Sequence, residues 1–191
     1  MQTDPTPDMI IAVGRLGDLN AHDWLQRLTK GRSPSLEHGQ NFSQKVKFSA
    51  RVALSALDPD HRITRFEELL KGPFSEEWME VQVVREMAAM GDSRLIPLFM
   101  TLTATGKNKH VVRSSVEHLG EMRARQAVPV LLDIVDRPFD PDSHHFITSY
   151  SGVQHRGNVY KALETISGEE FGDDKARWES WWKAQPESAL R

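Results

Sequence analysis

The sequence predicts an all-α protein built of about five helical hairpins. Three observations support this fold class. Apolar residues recur at helical spacing along most of the chain, two segments repeat at an offset of 32 residues, and sustained period-2 alternation is absent. Because a single hairpin cannot bury its own apolar face, repeated hairpins are expected to stack on their neighbours.

The two clearest hairpins are residues 78–105 and 110–136. Pro97 and Pro129 align at the offset of 32, each in the first turn of a second helix, where a missing N–H has no cost. In the first copy, Asp92 or Ser93 can cap that helix. The apolar pairs at the same offset are Val84 with Val116, Met87 with Leu119, Ile96 with Val128, Leu98 with Val130, and Leu102 with Ile134.

Weaker copies complete a single domain over residues 1–191. Residues 9–29 and 45–71 each predict a hairpin, and residues 155–184 predict a C-terminal capping hairpin. The polar, turn-rich linker 30–41 is expected to loop out between the first two repeats.

Composition excludes several classes of protein. The chain has 191 residues, 24 Lys and Arg against 27 Asp and Glu, and a formal charge of −3, which does not suit a generic nucleic-acid coat protein. The absence of cysteine excludes disulfides, thiol catalysis and Cys-based zinc sites. The apolar runs are too short for a transmembrane helix, and we see no secretory signal, so we expect a cytoplasmic protein.

Residues 110–136 resemble a HEAT-like repeat of the bacterial kind. The matching positions are Val112-Arg113, Leu119-Gly120 and Ala127-Val128-Pro129, followed by Leu131-Leu132. The tail 166–184 is similar to the closing segment of short bacterial HEAT-repeat proteins. The resemblance implies a right-handed α-solenoid, with first helices on the convex face and second helices on the concave face, that binds another macromolecule.

Candidate partner-binding residues are the polar positions that a concave face would expose. They are Arg27, Arg65, Glu68, Thr101, Thr105 and Asp133. The long segment 137–154 could add three aromatic anchors, Phe139, Phe146 and Tyr150. Alternatively, this segment is an ordinary insertion packed over the last hairpin. A weaker alternative is a divalent-metal site made from Asp140, Asp142, His144 and His145.

Three tryptophans of the tail share one helical face. Trp178, Trp181 and Trp182 are spaced i, i+3 and i+4. We interpret them as a terminal lid over the open end of the stack. The alternative is an exposed aromatic hot spot for a partner. A large loss of stability on replacing Trp181 with Ala would support the lid.

Our functional hypothesis is a monomeric, non-catalytic scaffold or adaptor that binds a protein and needs no cofactor. The main alternative, nucleic-acid binding, would use a basic cluster that Glu117 and Glu121 interrupt: Lys107, Lys109, His110, Arg113, Arg123 and Arg125. A metal-dependent enzyme built on segment 137–154 is the third hypothesis. HEAT-like iron hydroxylases use His-Glu dyads, whereas this chain has only Glu37-His38 and Glu117-His118, in reversed order.

Overall fold

The computed structural model describes residues 5–31, 43–72, 74, 76–137 and 152–186. In these ranges the chain forms α-helices joined by short turns and 3-10 segments and contains no strand, which confirms the all-α prediction. None of the helices in the described ranges is long and apolar enough to cross a bilayer.

The chain divides into two compact units, Met1–Met90 and Gly91–Arg191. This boundary falls inside the predicted hairpin 78–105. The helices of the first unit are α1 Pro7–Leu16, α2 His22–Lys30, α3 Gln44–Leu57, α4 Arg62–Lys71 and α5 Glu77–Ala89. The helices of the second unit are α6 Ile96–Thr105, α7 Lys109–Glu121, α8 Val128–Ile134, α9 Gly152–Ser167 and α10 Lys175–Lys183. Because α9 begins at Gly152, the last three residues of the predicted loop 137–154 are helical instead.

Short 3-10 segments precede three of the second helices. The segments before α2 and α6 begin after Asp18 and Asp92, whose Oδ1 atoms accept hydrogen bonds from the N–H of Asn20 at 3.0 Å and Arg94 at 3.1 Å. Of the two residues predicted to cap α6, Asp92 caps the 3-10 segment Ser93–Leu95 instead, and α6 itself begins after Leu95 without a side-chain cap. Each carboxylate satisfies a backbone donor that the helix itself leaves unpaired.

In the first unit, α3 packs against α1, α2, α4 and α5. The core around it contains buried aliphatic residues of three helices: Ile10, Leu25, Leu28, Val46, Ala50, Ala53 and Leu57. Gly14 of α1 lies directly on Ala53 of α3, and a Cβ atom added at Gly14 would stand 2.6 Å from the Ala53 Cα. This contact allows the two backbones to approach more closely than larger side chains would permit.

An ion pair ties α1 to α5 at the edge of this core. The Arg15 guanidinium donates to both carboxylate oxygens of Glu86, from Nε at 2.9 Å and from Nη2 at 3.0 Å. Glu86 is buried, and burial raises its pKa, while Arg15 opposes that shift. The bidentate geometry fixes the relative position of the two helices.

In the second unit, α7 packs against α6 and α9, and α8 packs against α6, α9 and α10. Gly120 of α7 lies on Ala162 of α9, where an added Cβ would be 3.0 Å from the Ala162 Cα. Arg137 follows α8 and closes the C-terminal end of α6, donating to the carbonyl oxygens of Ala104 and Gly106 at 3.0 Å each. A positive charge at the C-terminal end of a helix also interacts favourably with the helix dipole.

Trp178, and not Trp181, is the buried tryptophan of the tail. Trp178 is fully buried, and its indole N–H donates to the Gly172 carbonyl oxygen at 3.0 Å. Trp181 and Trp182 remain half-buried. The large stability cost expected on replacing Trp181 with Ala therefore belongs to Trp178, because Trp178 is the one of the three whose indole is fully buried.

We expect Gly14→Ala to destabilise the protein by about 1–3 kcal/mol, because the added methyl group forces α1 away from α3. The matched control is Gly157→Ala on α9, where an added Cβ meets nothing within 4 Å. That substitution should stabilise the protein by about 0.5–1 kcal/mol through helix propensity. Urea denaturation measures both free energies of unfolding, and equal effects of the two substitutions would contradict the close contact.

His155 is a buried titratable group at the start of α9. Its side chain is fully buried, and its Nε2–H donates to the Ile134 carbonyl oxygen at 2.8 Å. Burial lowers the pKa of His155 below its ordinary value of 6.5, and the nearby charges of Arg137 and Arg156 lower it further, against the opposing effect of the hydrogen bond.

The protein should lose stability as the pH falls below about 6.5. In that range the unfolded chain protonates His155 while the folded chain does not, so the unfolded state binds more protons and acid favours it. The stability that neutral His155 contributes is fully present above pH 6.5. It is lost as the pH falls from 6.5 toward the lower pKa that His155 has in the folded state. We expect His155→Gln to flatten the pH dependence of the unfolding free energy between pH 7 and 5, and an unchanged slope would refute this role.

Candidate functional site

An open groove of about 370 Å³ lies between α2, α3 and α4 of the first unit. Two of the predicted partner-binding residues, Arg65 and Glu68, line it. The full set of lining residues is His22, Arg51, Leu54, Ser55, Arg65, Glu68 and Leu69. The groove thus combines an apolar floor with charged and hydroxyl groups.

Helical periodicity brings these side chains together. Arg51, Leu54 and Ser55 stand at i, i+3 and i+4 on α3, and Arg65, Glu68 and Leu69 repeat that spacing on α4. Each helix therefore presents a stripe with one aliphatic residue and two polar residues. Because α3 and α4 pack against each other, the two stripes line the same groove.

Arg65 is held in place by the end of α3. Its Nη1 donates to the Leu54 carbonyl oxygen at 3.0 Å, and its Nη2 lies 3.7 Å from the Asp58 Oδ2. Asp58 also accepts a hydrogen bond from the His61 Nδ1 at 2.8 Å, which is the main reason that the pKa of Asp58 lies below its usual range. Arg65 therefore stabilises the turn between α3 and α4, and these contacts fix the orientation of its guanidinium.

Arg51 and Glu68 are differently placed. Both side chains are exposed, and within the described part of the chain neither forms a hydrogen bond or an ion pair. The Arg51 guanidinium lies 5.9 Å from the centre of the Phe48 ring, a weak cation–π contact. These two opposite charges at one groove are available to a ligand that carries both signs.

His22 is the one histidine among the described residues that line the groove, and its Nδ1 lies 3.4 Å from a carboxylate oxygen of the exposed Asp23. Among the residues that the structure describes, no group of three His, Asp or Glu side chains is arranged to hold a metal ion. The described lining of the groove therefore offers apolar contact flanked by charge.

The other predicted residues lie elsewhere. Arg27 is exposed on α2 but does not line the groove. Thr101, Thr105 and Asp133 are exposed in the second unit, on α6 and α8. The Thr101 and Thr105 hydroxyls donate to the backbone carbonyls of Pro97 and Thr101, at 3.0 and 2.9 Å, so their donor capacity is used within α6.

Several candidates fall outside the described residues or are already paired. Two sets of candidates lie outside the described ranges. They are the aromatic anchors Phe139, Phe146 and Tyr150, and the proposed metal ligands Asp140, Asp142, His144 and His145. In the basic cluster, the Arg113 Nε donates to the Glu117 Oε1 at 2.8 Å, and the Arg125 Nη2 donates to the Gln185 Oε1 at 2.9 Å. Part of that cluster is therefore engaged within the protein.

Sequence reasoning missed the other lining residues of the groove, among them its second arginine, Arg51. Arg51 lies on α3, a first helix, whereas candidates were sought only on second helices. The signal was the i, i+3, i+4 spacing of Arg51, Leu54 and Ser55, which matches that of the α4 residues. No family model matches the chain, and no curated protein matches it either.

Proposed function

We propose that this chain is a non-catalytic scaffold that binds a protein partner through the groove between α2, α3 and α4. The observation that carries the proposal is the pairing of two apolar side chains, Leu54 and Leu69, with the exposed charges of Arg51 and Glu68 in the lining of one groove. A protein segment can place an aliphatic side chain on the floor and opposite charges at the rim.

Nucleic acid fits this groove less well than protein does. Arg51 and Arg65 would attract a phosphate backbone, but the Glu68 carboxylate lines the same groove and would repel it. Because Arg65 is already fixed by the Leu54 carbonyl, a protein partner would meet a preformed surface with a small ordering cost.

The charge-reversal variants Arg51→Glu and Glu68→Lys test the groove. Each should weaken binding of a native partner by about 1–2 kcal/mol, which is about five- to thirtyfold in Kd. Lys161→Glu on α9 is the control, since Lys161 is exposed in the other unit. Quantitative affinity purification from the native host, with circular dichroism as a check of folding, gives the comparison.

A protein that the wild type and the Lys161 variant retain, and that both groove variants lose, would support the proposal. If the groove variants retain every protein that the wild type retains, partner binding by this groove is wrong.

We also propose that the helices belong to a HEAT-like α-solenoid. Supporting observations come from each unit separately. First helices pack together at Gly14 and Ala53 in the first unit and at Gly120 and Ala162 in the second, where α6 also packs against α8, its neighbour among the second helices. Contact between successive helices of the same kind is typical of stacked hairpins.

Small-angle X-ray scattering tests the solenoid and the monomer together. A compact globule of this length has a radius of gyration of about 16 Å, and a solenoid should exceed that value clearly. The forward scattering should correspond to one chain of 21.7 kDa. A radius near 16 Å with a symmetric distance distribution would contradict the solenoid, and a mass of two chains would contradict the monomer.

A further inference from the structure

The aromatic tail forms a second groove, separate from the groove between α2, α3 and α4. This groove has a volume of about 530 Å³, is open to solvent and lies along α10 in the second unit. The residues that line it are Phe171, Asp174, Ala176, Arg177, Ser180 and Trp181. We refer to it below as the α10 groove.

The rings of the α10 groove are held rigidly from beneath. The buried Trp178 packs edge-on against Phe171 and Trp181, with ring centroids 4.8 and 5.9 Å apart. Its indole N–H is fixed on the Gly172 carbonyl. Trp178 therefore anchors the segment, while the half-buried Phe171 and Trp181 present ring surface at the groove. Rigid aromatic side chains that are partly exposed at a groove are typical of interface hot spots.

One aromatic ring of the groove already contacts a cationic side chain of the protein itself. The Arg177 guanidinium lies 4.8 Å from the centre of the Phe171 ring, within the range of a cation–π contact. Within the described residues, that guanidinium forms no hydrogen bond or ion pair. The groove is thus able to hold a guanidinium against an aromatic face, and the face of Trp181 offers a similar surface.

The charges around the groove favour a cationic ligand. Asp174 lines it, Glu170 adjoins Phe171, and Asp173 adjoins Asp174, all three being exposed. Of the other two cations of α10, Lys175 is paired with Asp136 at 2.8 Å, and Lys183 is exposed in the last turn but does not line the groove. Arg177 is then the one cation among the described residues that line the groove, against one carboxylate in the lining and two at neighbouring positions in the sequence.

We propose that the α10 groove is a docking site for a basic peptide segment of a partner protein, whose Arg or Lys side chain stacks on Trp181 next to the acidic rim. In this proposal, the Arg177 side chain competes with the cation of the peptide for the aromatic surface of the groove. Its removal should strengthen the binding of a basic peptide. For an acidic ligand the same change would remove the only attractive charge in the lining and weaken binding.

The experiment uses an acetylated and amidated Gly-Arg-Gly-Arg-Gly peptide, compared with its Gly-Glu-Gly-Glu-Gly and all-proline counterparts. Binding to the full chain is followed by NMR through the five tryptophan indole N–H signals, assigned with single Trp→Phe variants. We expect the Arg peptide to shift the Trp181 signal and leave that of Trp78 unchanged, with an affinity that falls as salt rises.

Three variants should change the affinity for the Arg peptide, two of them lowering it and one raising it. Glu170→Gln and Asp173→Asn should each weaken binding of the Arg peptide by about two- to fivefold at low salt, as expected for exposed charges. Arg177→Gln should strengthen it by a similar factor. Glu67→Gln, an equal charge change at an exposed position of α4, is the control and should have no effect.

The proposal is overturned if the Arg peptide does not shift the Trp181 signal, if the Glu or proline peptide binds more tightly, or if Arg177→Gln weakens binding. Trp181→Leu should reduce the affinity by about two- to fivefold through loss of the cation–π contact. Should that variant fail to fold, Arg177→Gln alone decides between a basic and an acidic ligand. None of these results depends on the groove between α2, α3 and α4.

Discussion

The close packing of small residues between first helices is the constraint on which much of this structure depends. Gly14 on Ala53 and Gly120 on Ala162 bring α1 to α3 and α7 to α9 at backbone distance. Helices this close leave no room for side chains between them at that point, so the larger apolar residues must fill the space on either side. The position of each second helix then follows from the side chains that remain to be covered.

Arginines hold the C-terminal ends of helices in both units. In the first unit, Arg65 and Arg62 donate to the carbonyls of Leu54 and Ala56 near the end of α3, and in the second unit Arg137 does the same for α6. The last carbonyl groups of a helix have no partner within that helix, and a long cationic side chain can satisfy them from a distance. At α3, this bonding also gives the groove its shape.

The repeat pattern predicted the helices well, but it did not predict which side chains of different helices line one groove. Local chemistry determines where a helix begins, so Pro97 and Asp92 could be interpreted from the sequence. Which residue of a helical face is most deeply buried depends on neighbouring helices, and this is why the sequence could not show that Trp178, and not Trp181, is the fully buried tryptophan. Gly120 and Ala88 share a repeat position at the offset of 32. The small side chains at that position were the available signal for close helix contact.

The anchoring of the chain on both sides of residues 138–151 has an evolutionary consequence. Arg137 is bonded to the end of α6, and His155 is bonded to the Ile134 carbonyl at the end of α8. The chain is therefore held by hydrogen bonds just after α8 and in the first turn of α9. Between two fixed points, added residues cost little loop-closure entropy. Related chains could vary this segment in length and composition, and thus acquire new surfaces, without disturbing the helices on either side.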